Sequence, residues 1–397
     1  MIKPAKRTEK LKYEILGILR YAKQAEAAGK EMLYLNIGDP MHFDYETPRH
    51  LVEAAHRAML DSRADYCDSS GIEEAREAIA RDYARKGITD YVDLFVTSGV
   101  TEGIELCLTA LINPGDEILL PCPGYPLYPM LMDKLEAKRV DYYLDESNDW
   151  NPDIDDIKKK ITPKTRALVL VNPNNPTGSQ YARDILEQVI KLSLKYNFVI
   201  FSDEIYERMI LDGDEHISIA SMTNEVPAVT MNGLSKAYLV PGYRIGWAAI
   251  TGKRKELAEY IEAIHKLLIA RLCAPTPLQY IIKPALEGPQ DHLEEMRRKL
   301  LKRRDITYDR LNAIPGVTCV KPTAAFYAYP SLDIEEPDEQ FVADLIMETG
   351  VVVVHGEGFG QRPGTRHVRI VFLPQEEILD RAYTLFEQFM SKRRRKH

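Results

Sequence analysis

The stretch that decides the fold is Asn232-Gly-Leu-Ser-Lys-Ala-Tyr-Leu-Val-Pro-Gly-Tyr-Arg-Ile-Gly-Trp247, which follows the apolar run 228–231. Its lysine, Lys236, stands directly after Ser235, and Arg244 lies between two glycines a short way on. A lysine in a tight loop beside a β-strand can be desolvated near other cations, which lowers its pKa and makes the amine a nucleophile. We therefore expect Lys236 to form a Schiff base, with the Ser235 hydroxyl and the Arg244 guanidinium binding a phosphate beside it. A solvated surface lysine is the alternative.

Apolar runs and helical patterns alternate around this stretch. The runs 165–171 and 198–201 are continuously apolar, as in strands that are buried on both faces, and the helical pattern 183–196 separates them. Such alternation predicts an α/β fold with a mainly parallel sheet and helices on both faces. Toward the C-terminus, a long charged helical pattern and short separate strands favour a smaller α+β domain.

The length of the chain predicts more than one domain. Its 397 residues are too many for one hydrophobic core, so two or three domain-sized units are expected. We predict a large domain over 46–285 and a small domain over 286–397. Residues 1–45 are expected to form an N-terminal arm, with a first helix over 11–28, and to contribute to the small domain.

Several predicted strands end in loops that suit ligand binding. Gly38 follows the strand 32–37 and lets the backbone approach a ligand closely. Ser98-Gly-Val-Thr101 joins a strand to a helix N-terminus, where free backbone N–H groups attract an anion. Asn172-Pro-Asn-Asn-Pro-Thr-Gly178 forms a rigid polar loop after the run 165–171, at the sheet edge where α/β proteins bind ligands.

Three further side chains stand out by their positions. Tyr125 lies in a proline-rich loop after a strand, where its ring could stack on a flat ligand. Asp203 ends a buried strand, and a buried carboxylate is costly without a cationic partner. Arg369 alternates with apolar residues within 367–372, which predicts either an edge position or a guanidinium directed at a carboxylate.

Composition argues against several classes of protein. The formal net charge of −8 disfavours a nucleic-acid binder, and the basic run 392–396 is expected to be a solvated helix end. Five scattered cysteines fit neither a disulfide scaffold nor a zinc site, and they favour a reducing, cytoplasmic setting. The nine histidines form no ligand motif, so no metal is expected. The N-terminus lacks the apolar segment of a secretory signal, and no apolar run approaches the ~18 residues of a membrane span.

The distinctive segments also form an ordered set along nearly the whole chain. Because Asn-Pro-Thr-Gly, Asp-x-x-Tyr and Ser-Lys-x-x-x-x-Pro-Gly-x-Arg occur in this order, the chain resembles the class I aminotransferases. These are pyridoxal 5'-phosphate enzymes of the aspartate aminotransferase superfamily, and the resemblance is to their prokaryotic-type alanine aminotransferases. It implies pyridoxal phosphate fold type I, with a mainly parallel seven-stranded sheet in the large domain. The matching positions are Gly38, Tyr66, 98–101, Tyr125, 172–178, 203–206, Ser235, Lys236, Arg244 and Arg369.

The resemblance implies cofactor roles for several of these residues. Lys236 would hold the cofactor as an internal aldimine and then carry the proton between the substrate and the cofactor. Asp203 would keep the pyridine nitrogen protonated, which maintains the ring as an electron sink. Tyr206 and Asn175 would form hydrogen bonds to the phenolic oxygen of the ring, and Tyr125 would stack on its face.

Phosphate binding is implied for a second group of residues. Gly99, Val100 and Thr101 at their helix N-terminus would hold the phosphate, together with Ser235 and Arg244. Val100 stands where the family has a turn rich in glycine, alanine or serine, so backbone contacts are implied at that position.

Two further contacts are implied beyond the ring and its own phosphate site. Tyr66 would reach the phosphate of the neighbouring subunit, which makes the functional unit a homodimer with shared active sites. Arg369 would bind the α-carboxylate of the substrate bidentately, with Gly38 and Asn175 nearby.

The implied reaction is a ping-pong transamination between an amino acid and a 2-oxo acid. For an alanine enzyme, the pairs are L-alanine with pyruvate and L-glutamate with 2-oxoglutarate. An aspartate or aromatic amino acid aminotransferase is an alternative, since the sequence marks no residue as a clamp for a side-chain carboxylate. A lyase or decarboxylase would use the same cofactor residues, although Arg369 argues against loss of the α-carboxylate. A non-enzymatic regulator would need a DNA-binding domain, and the roughly 30 residues before the first strand are too few for one.

Overall fold

The computed structural model describes residues 2–9, 11, 17–213 and 215–394. Within these ranges, helices and strands alternate through the middle of the chain. The helices are α1 (Leu19–Ala27), α2 (Arg49–Leu60), α3 (Glu73–Arg85), α4 (Val100–Leu111), α5 (Leu127–Leu135), α6 (Ile154–Lys160), α7 (Arg183–Tyr196), α8 (Arg254–Ala270), α9 (Thr276–Gln279), α10 (Ile282–Glu287), α11 (Asp291–Ala313), α12 (Asp338–Thr349) and α13 (Glu376–Arg394). The strands are β1 (Leu33–Tyr34), β2 (Tyr91–Thr97), β3 (Glu117–Cys122), β4 (Lys138–Asp145), β5 (Asn151–Pro152), β6 (Thr165–Val171), β7 (Val199–Asp203), β8 (Ala228–Gly233), β9 (Gly246–Thr251), β10 (Val317–Thr318), β11 (Tyr327–Ala328), β12 (Ser331–Leu332), β13 (Val351–Val352), β14 (Val354–His355) and β15 (Val368–Val371).

The described structure differs in two places from the helices that the sequence predicts. Residues 12–16 of the helix predicted over 11–28, like the end of the basic run 392–396, lie outside the described residues, and α1 begins at Leu19. The helical pattern of residues 275–286 predicts one helix, but the structure has the two short helices α9 and α10 there. Pro284 has no backbone N–H to bond the carbonyl of Tyr280, so a continuous helix would lose that hydrogen bond.

The large sheet contains, among the described residues, eight strands in the order β2-β9-β8-β7-β6-β3-β4-β5. The central pairs β8–β7, β7–β6, β6–β3 and β3–β4 are parallel, whereas β2–β9, β9–β8 and β4–β5 are antiparallel. The sheet is therefore one strand larger than the seven expected, because the two-residue strand β5 pairs with the end of β4. Two residues give too little alternation for a strand to be identified from sequence.

The two faces of this sheet bury separate hydrophobic cores. On β6, Leu168 and Leu170 belong to one core, while Ala167, Val169 and Val171 belong to the other. Successive side chains of a strand point to opposite faces, so a strand that is covered on both faces is apolar throughout. The continuous apolar pattern of β6 is explained by this double burial.

The central parallel strands end side by side at one edge of the sheet. Val171 at the end of β6 lies opposite Asp203 at the end of β7, and Asp203 lies opposite Met231 of β8. Loops that leave these strands therefore start close together. They carry Asn175 and, after β8, Lys236.

Residues from both ends of the chain form the smaller sheets. Strand β1 pairs in parallel with β13, with Leu33 opposite Val351. Strand β15 lies between β11 and β14 in an antiparallel sheet of three strands. Helix α1 packs against α12, and α11 packs against α13. The segment before the large sheet thus packs with residues from the C-terminal third of the chain.

All five cysteines are free thiols, with Cys107, Cys122 and Cys319 buried and Cys67 and Cys273 partly exposed. Among the helices of the described ranges, none is long and apolar enough to cross a membrane.

Candidate active site

A cavity of about 580 Å³ lies at the edge of the large sheet where β6, β7 and β8 end. It brings together residues that are spread along the chain from position 19 to position 369. Of the residues predicted for the site, only Gly99 and Tyr66 do not line it. Those that line it are Gly38, Val100, Thr101, Tyr125, Asn175, Asp203, Tyr206, Ser235, Lys236, Arg244 and Arg369.

Lys236 lies in the loop after β8 with its amine directed into the cavity. Its Nζ donates a 2.8 Å hydrogen bond to the carbonyl oxygen of Gly38. Burial, together with the guanidinium groups of Arg369 and Arg244, lowers the pKa of Lys236 to about 8, while nearby carboxylates such as Asp39 oppose the shift. A lysine in this environment is neutral far more often than a solvated one, so its amine can act as a nucleophile or a base.

Asp203 ends β7 beside the cavity, and it is only 3% exposed. Its recorded contacts are with neutral groups, since the Ile205 backbone N–H donates at 3.3 Å and the Tyr128 hydroxyl lies 3.5 Å away. Burial raises the pKa of Asp203 to about 7. Among the residues that the structure describes, no cationic side chain forms an ion pair with this carboxylate. A ligand that presents a cationic N–H here would therefore be stabilised by it.

The N-terminus of α4 forms an anion-binding corner of the cavity. Gly99 caps this helix with φ of 81°, a conformation that favours glycine. A Cβ atom at Gly99 would collide with the guanidinium of Arg244, so the two residues are in close contact. Arg244 is exposed and is oriented by a 2.9 Å hydrogen bond from its Nη1 to the carbonyl of Pro241. Free N–H groups, a helix dipole and a guanidinium at one place suit a phosphate.

Val100, Thr101 and Ser235 complete this corner. Val100 and Thr101 are the first two residues of α4, and Ser235 directly precedes Lys236. The backbone N of Val100 would lie 2.6 Å from a Cβ atom built on Gly246. A side chain at position 246 would therefore displace the helix N-terminus, which explains why glycine suits the start of β9.

Arg369 is on the central strand β15 of the three-stranded sheet and is 4% exposed. Its Nη2 donates to the carbonyl of Asn36 at 2.7 Å, and its Nη1 donates to Oδ1 of Asn175 at 3.2 Å. The guanidinium lies 4.9 Å from the ring centre of Tyr327 and 4.7 Å from that of Phe359. Of the two sequence interpretations, the edge position is thus wrong, because β15 has a partner on each side.

The remaining ring-side residues surround the same space. Tyr206 is buried, and its hydroxyl lies 2.8 Å from the hydroxyl of Tyr327. Asn175 is also buried and lines the cavity, and its Oδ1 accepts the hydrogen bond from Arg369. Tyr125 lines the cavity and is partly exposed. These side chains can contact a flat ligand that spans the distance between Lys236 and Asp203.

Three residues near the site were missed by the sequence interpretation. Tyr327 lines the cavity and contacts both Tyr206 and Arg369. Asn36 accepts a hydrogen bond from Arg369 through its backbone, and Tyr128 approaches Asp203. An aromatic residue in a two-residue strand and a backbone carbonyl leave no pattern in sequence. Tyr128 lies three residues after Tyr125, and its spacing alone does not distinguish it from a core residue.

Tyr66 lies apart from the cavity of its own chain. It is 77% exposed in the loop between α2 and α3. The described residues of a single chain do not bring Tyr66 to the site.

Comparison with known proteins agrees with this geometry. Residues 30–384 match the family described as aminotransferase class I and II. The chain is 38% identical over 399 residues to the glutamate-pyruvate aminotransferase AlaA of Escherichia coli (strain K12), with 98% of each chain covered. It is 34% identical over 391 residues to an aspartate aminotransferase of Geobacillus stearothermophilus, covering 95% of this chain and 96% of that protein.

The fold is shared with solved structures at similar coverage. An alanine aminotransferase from Pyrococcus furiosus superposes with a TM-score of 0.95 at 42% identity, covering 98% of this chain and 100% of the other. Both the sequence match and the structural match extend over the cavity and the residues that line it. The chain therefore belongs to the class I and II aminotransferases.

Proposed function

We propose that this protein transfers the amino group of L-alanine to 2-oxoglutarate, which yields pyruvate and L-glutamate. The observation that carries the proposal is that Lys236, Asp203 and Arg369 face one cavity. An amine with a lowered pKa, a buried acid and a buried guanidinium can together bind a ring cofactor and the carboxylate of a substrate. The two similar proteins that are named for alanine or pyruvate support alanine as the donor.

Enzymes of this family depend on pyridoxal 5'-phosphate, and the residues of the cavity fit that group. Asp203 is a buried acid with neutral contacts, as a protonated ring nitrogen requires. The corner formed by Gly99, Ser235 and Arg244 suits its phosphate, and Lys236 would hold its aldehyde carbon. When bound, the cofactor supplies a conjugated cation that accepts the electrons of the Cα–H bond of the substrate.

Lys236 is the residue to which we assign proton transfer. With a pKa near 8, its Nζ can take a proton from Cα of the substrate and return a proton at neutral pH. The carbonyl oxygen of Gly38 accepts a hydrogen bond from Nζ and fixes its direction. Positioning of this kind places the base within reach of the proton that it removes.

Four side chains would orient the ring of the cofactor. Tyr206 and Asn175 would form hydrogen bonds to its phenolic oxygen, and Tyr125 would stack on its face. The buried hydroxyl pair of Tyr206 and Tyr327, 2.8 Å apart, limits the positions open to the Tyr206 ring. These contacts would hold the ring of the cofactor in one orientation.

Arg369 would bind the α-carboxylate of the amino acid and of the 2-oxo acid. Its planar guanidinium matches the two oxygens of a carboxylate, and its hydrogen bonds to Asn36 and Asn175 hold it in place. The absence of a Cβ at Gly38 leaves room beside Tyr327, since a Cβ there would lie 2.7 Å from the Tyr327 hydroxyl.

The second carboxylate of glutamate and 2-oxoglutarate needs its own partner in the cavity. Among the described residues that line it, the lysine and arginine side chains are Lys236, Arg244 and Arg369, and each already has a role. The side-chain carboxylate therefore needs a further polar group. His42 lines the cavity and is 62% exposed, so we assign it to the side-chain carboxylate of glutamate and 2-oxoglutarate.

We further propose a cytoplasmic homodimer with shared active sites. The exposure of Tyr66 outside its own cavity supports its reaching the phosphate in the neighbouring subunit. The free thiols support a reducing compartment. The division into an arm over 1–45, a large domain over 46–285 and a small domain over 286–397 is supported by the pairing of β1 with β13.

The experiment that tests this function is a comparison of amino donors with 2-oxoglutarate as the acceptor. We expect alanine to have the highest kcat/KM, with formation of pyruvate in equal amount to glutamate. A kcat/KM far higher for aspartate or for tyrosine would replace the proposal by the corresponding alternative aminotransferase. No transamination with any donor would contradict the assignment as an enzyme.

A further inference from the structure

A second cluster of ligand-type side chains lies outside the cavity that contains Lys236. Glu204 directly follows β7, Glu207 lies in the next turn, and His216 belongs to the segment that leads away from it. Each offers one ligand atom, and these atoms all lie within 4.8 Å of one another. Glu204 lies within the segment 203–206, but the spacing of 204, 207 and 216 matches no metal-ligand pattern in the sequence.

His216 is the member of the cluster that requires an explanation. Its side chain is 5% exposed. Neither of its ring nitrogens forms a hydrogen bond with any residue that the structure describes, although Nε2 lies 3.4 Å from Oε2 of Glu204. Buried polar groups in native proteins are nearly always satisfied, and leaving one unpaired costs about 1–3 kcal/mol. An imidazole in this state indicates a ligand.

The carboxylate of Glu204 is oriented toward the imidazole. Its Oε1 accepts hydrogen bonds from the hydroxyls of Ser202 at 2.8 Å and Ser218 at 3.0 Å. Its Oε2 is the atom that approaches His216. Glu204 is 2% exposed, so this geometry is fixed by the surrounding structure. In metal sites, hydrogen bonds from neighbouring residues orient the carboxylates that bind the ion in the same way.

Glu207 brings the second carboxylate to the cluster. Its ion pairs with Lys86 and Arg208 both involve Oε1. Lys86 and Arg208 also pair with Asp82, each at 2.6 Å. Both cations therefore keep a carboxylate partner if Glu207 turns toward a bound ion. A cavity of about 490 Å³, lined by Glu207 and His216 among others, gives the cluster access to solvent.

We propose that Glu204, Glu207 and His216 bind a divalent cation of the zinc type. One imidazole and two carboxylates are ligands that Zn²⁺ accepts, with water in the fourth position. Two ligand atoms bound at ~2.1 Å in a tetrahedral site lie about 3.4 Å apart, which is the separation of Nε2 and Oε2 here. The ion would join the segment that carries His216 to the end of β7.

The test is a titration of the chelator-treated holoenzyme with Zn²⁺ by calorimetry, together with the thermal midpoint of unfolding. His216→Gln and Glu207→Gln are compared with the natural chain. We expect the natural protein to bind one more Zn²⁺ per chain than either variant, or to bind it on the order of 100-fold more tightly. Zn²⁺ should raise its thermal midpoint, because a ligand that binds only the folded state stabilises it.

His265→Gln is the matched control. His265 Nε2 lies 2.9 Å from Asp93 Oδ2, so it is also paired with a carboxylate, but it belongs to no such cluster. This variant should bind Zn²⁺ like the natural protein. Any Zn²⁺ that binds at the cofactor should bind equally in the natural protein and in the three variants, so it does not affect the difference in affinity between them. Equal Zn²⁺ affinity in His216→Gln and the natural protein, or no binding by the natural protein, would overturn the proposal. Circular dichroism of the variants separates loss of the site from loss of the fold.

Discussion

The Nζ atom of Lys236 is hydrogen-bonded to the carbonyl oxygen of Gly38 at 2.8 Å, although the two residues are 198 positions apart. Lys236 follows β8 of the large sheet, whereas Gly38 follows β1, which pairs with β13. The bond thus crosses from the large sheet to the segment that is paired with the C-terminal part of the chain. The direction of the amine therefore depends on how these two parts of the molecule pack together.

The first prediction concerns the amine itself. Lys236→Ala should abolish the half-reaction with alanine, lowering its rate by on the order of 10⁴-fold or more, because both the nucleophile and the base are lost. The reaction is followed as the loss of cofactor absorbance under single-turnover conditions. Lys134→Ala is the control, since Lys134 pairs with Glu105 on the surface, half-exposed. Full turnover by Lys236→Ala would refute the role assigned to this residue.

Because Lys236 is expected to bind the cofactor as a Schiff base, borohydride should reduce that bond and attach the cofactor permanently to the natural protein. The product should keep the cofactor through denaturation, and peptide mass spectrometry should place it on Lys236. Cofactor attached to another lysine would contradict the assignment.

The second prediction concerns stability and pH in the cofactor-free protein. Burial raises the pKa of Asp203 to about 7, from an ordinary value of 3.8. The folded state therefore binds more protons than the unfolded state between these values, and stability falls as pH rises from about 4 to about 7. Asparagine does not ionise, so the stability of Asp203→Asn does not fall in this way. At pH 8 its free energy of unfolding should exceed that of the natural protein by a few kcal/mol at most.

At pH 4 the difference between the two proteins should be much smaller, because Asp203 is then neutral in the folded state and only about half ionised in the unfolded state. Thermal unfolding at both pH values measures the difference. The exposed Asp309→Asn serves as the control and should show no such dependence. With the cofactor bound, the natural protein should be more stable than Asp203→Asn at pH 8, because Asp203 then has a cationic partner. A natural protein that is more stable than Asp203→Asn at pH 8 without cofactor would contradict the burial argument.

The sequence predicted those parts of the site that are carried by local patterns. Lys236, Asp203 and Asn175 each follow a continuous apolar strand, so the parallel sheet itself brings them to one edge. Tyr327 could not be found in this way, since its contact with Tyr206 joins residues 121 positions apart through tertiary packing. The eighth strand and the break before α10 were missed for local reasons, namely a two-residue strand and a proline inside a helical pattern.

The position of Arg369 shows a different limit. Alternation with apolar residues identified a strand, but it could not show whether that strand has one neighbour or two. The pairing of β15 on both sides depends on β11 and β14, each of two residues. Partners of that length carry almost no periodic signal. The role of Arg369 is therefore inferred from the resemblance to a family, whereas the residues around it are known only from the fold.

The third prediction concerns the guanidinium of Arg369. Arg369→Lys should lower kcat/KM for alanine and for 2-oxoglutarate by roughly 10–100-fold, because an ammonium cannot replace a planar fork with two parallel hydrogen bonds. Steady-state kinetics with both substrates measures the effect. The slow reaction with alaninamide, which lacks the carboxylate, should change much less. An equal loss for alanine and alaninamide would indicate damage to the fold instead.

The fourth prediction concerns Tyr66 and the dimer. If its hydroxyl reaches the phosphate in the neighbouring subunit, Tyr66→Phe should weaken cofactor binding by roughly tenfold, as expected for one lost hydrogen bond to a charged group. Equilibrium dialysis measures the affinity, and sedimentation measures the assembly. Tyr196→Phe is the control, because Tyr196 is also exposed, at 40%. A fully active monomer would exclude shared sites.

The fifth prediction uses two glycines that both have a positive φ but have different surroundings. Gly99 has φ of 81° and Gly115 has φ of 86°, so an alanine at either position is strained, at a cost of about 1–3 kcal/mol. A Cβ at Gly99 would meet the guanidinium of Arg244, whereas a Cβ at Gly115 would meet no atom within 4 Å. Both variants should therefore be less stable, but only Gly99→Ala should displace Arg244 from the phosphate corner.

The affinity for pyridoxal phosphate separates the two effects. Gly99→Ala should bind it at least tenfold more weakly, since the charge-assisted contacts to phosphate are the strong ones. Gly115→Ala should bind it like the natural protein while unfolding at a similarly lowered temperature. Inorganic phosphate should compete with the cofactor in the natural protein and less well in Gly99→Ala. If both variants lose the same affinity, the loss follows from strain in general, and the corner between Gly99 and Arg244 is not the phosphate site.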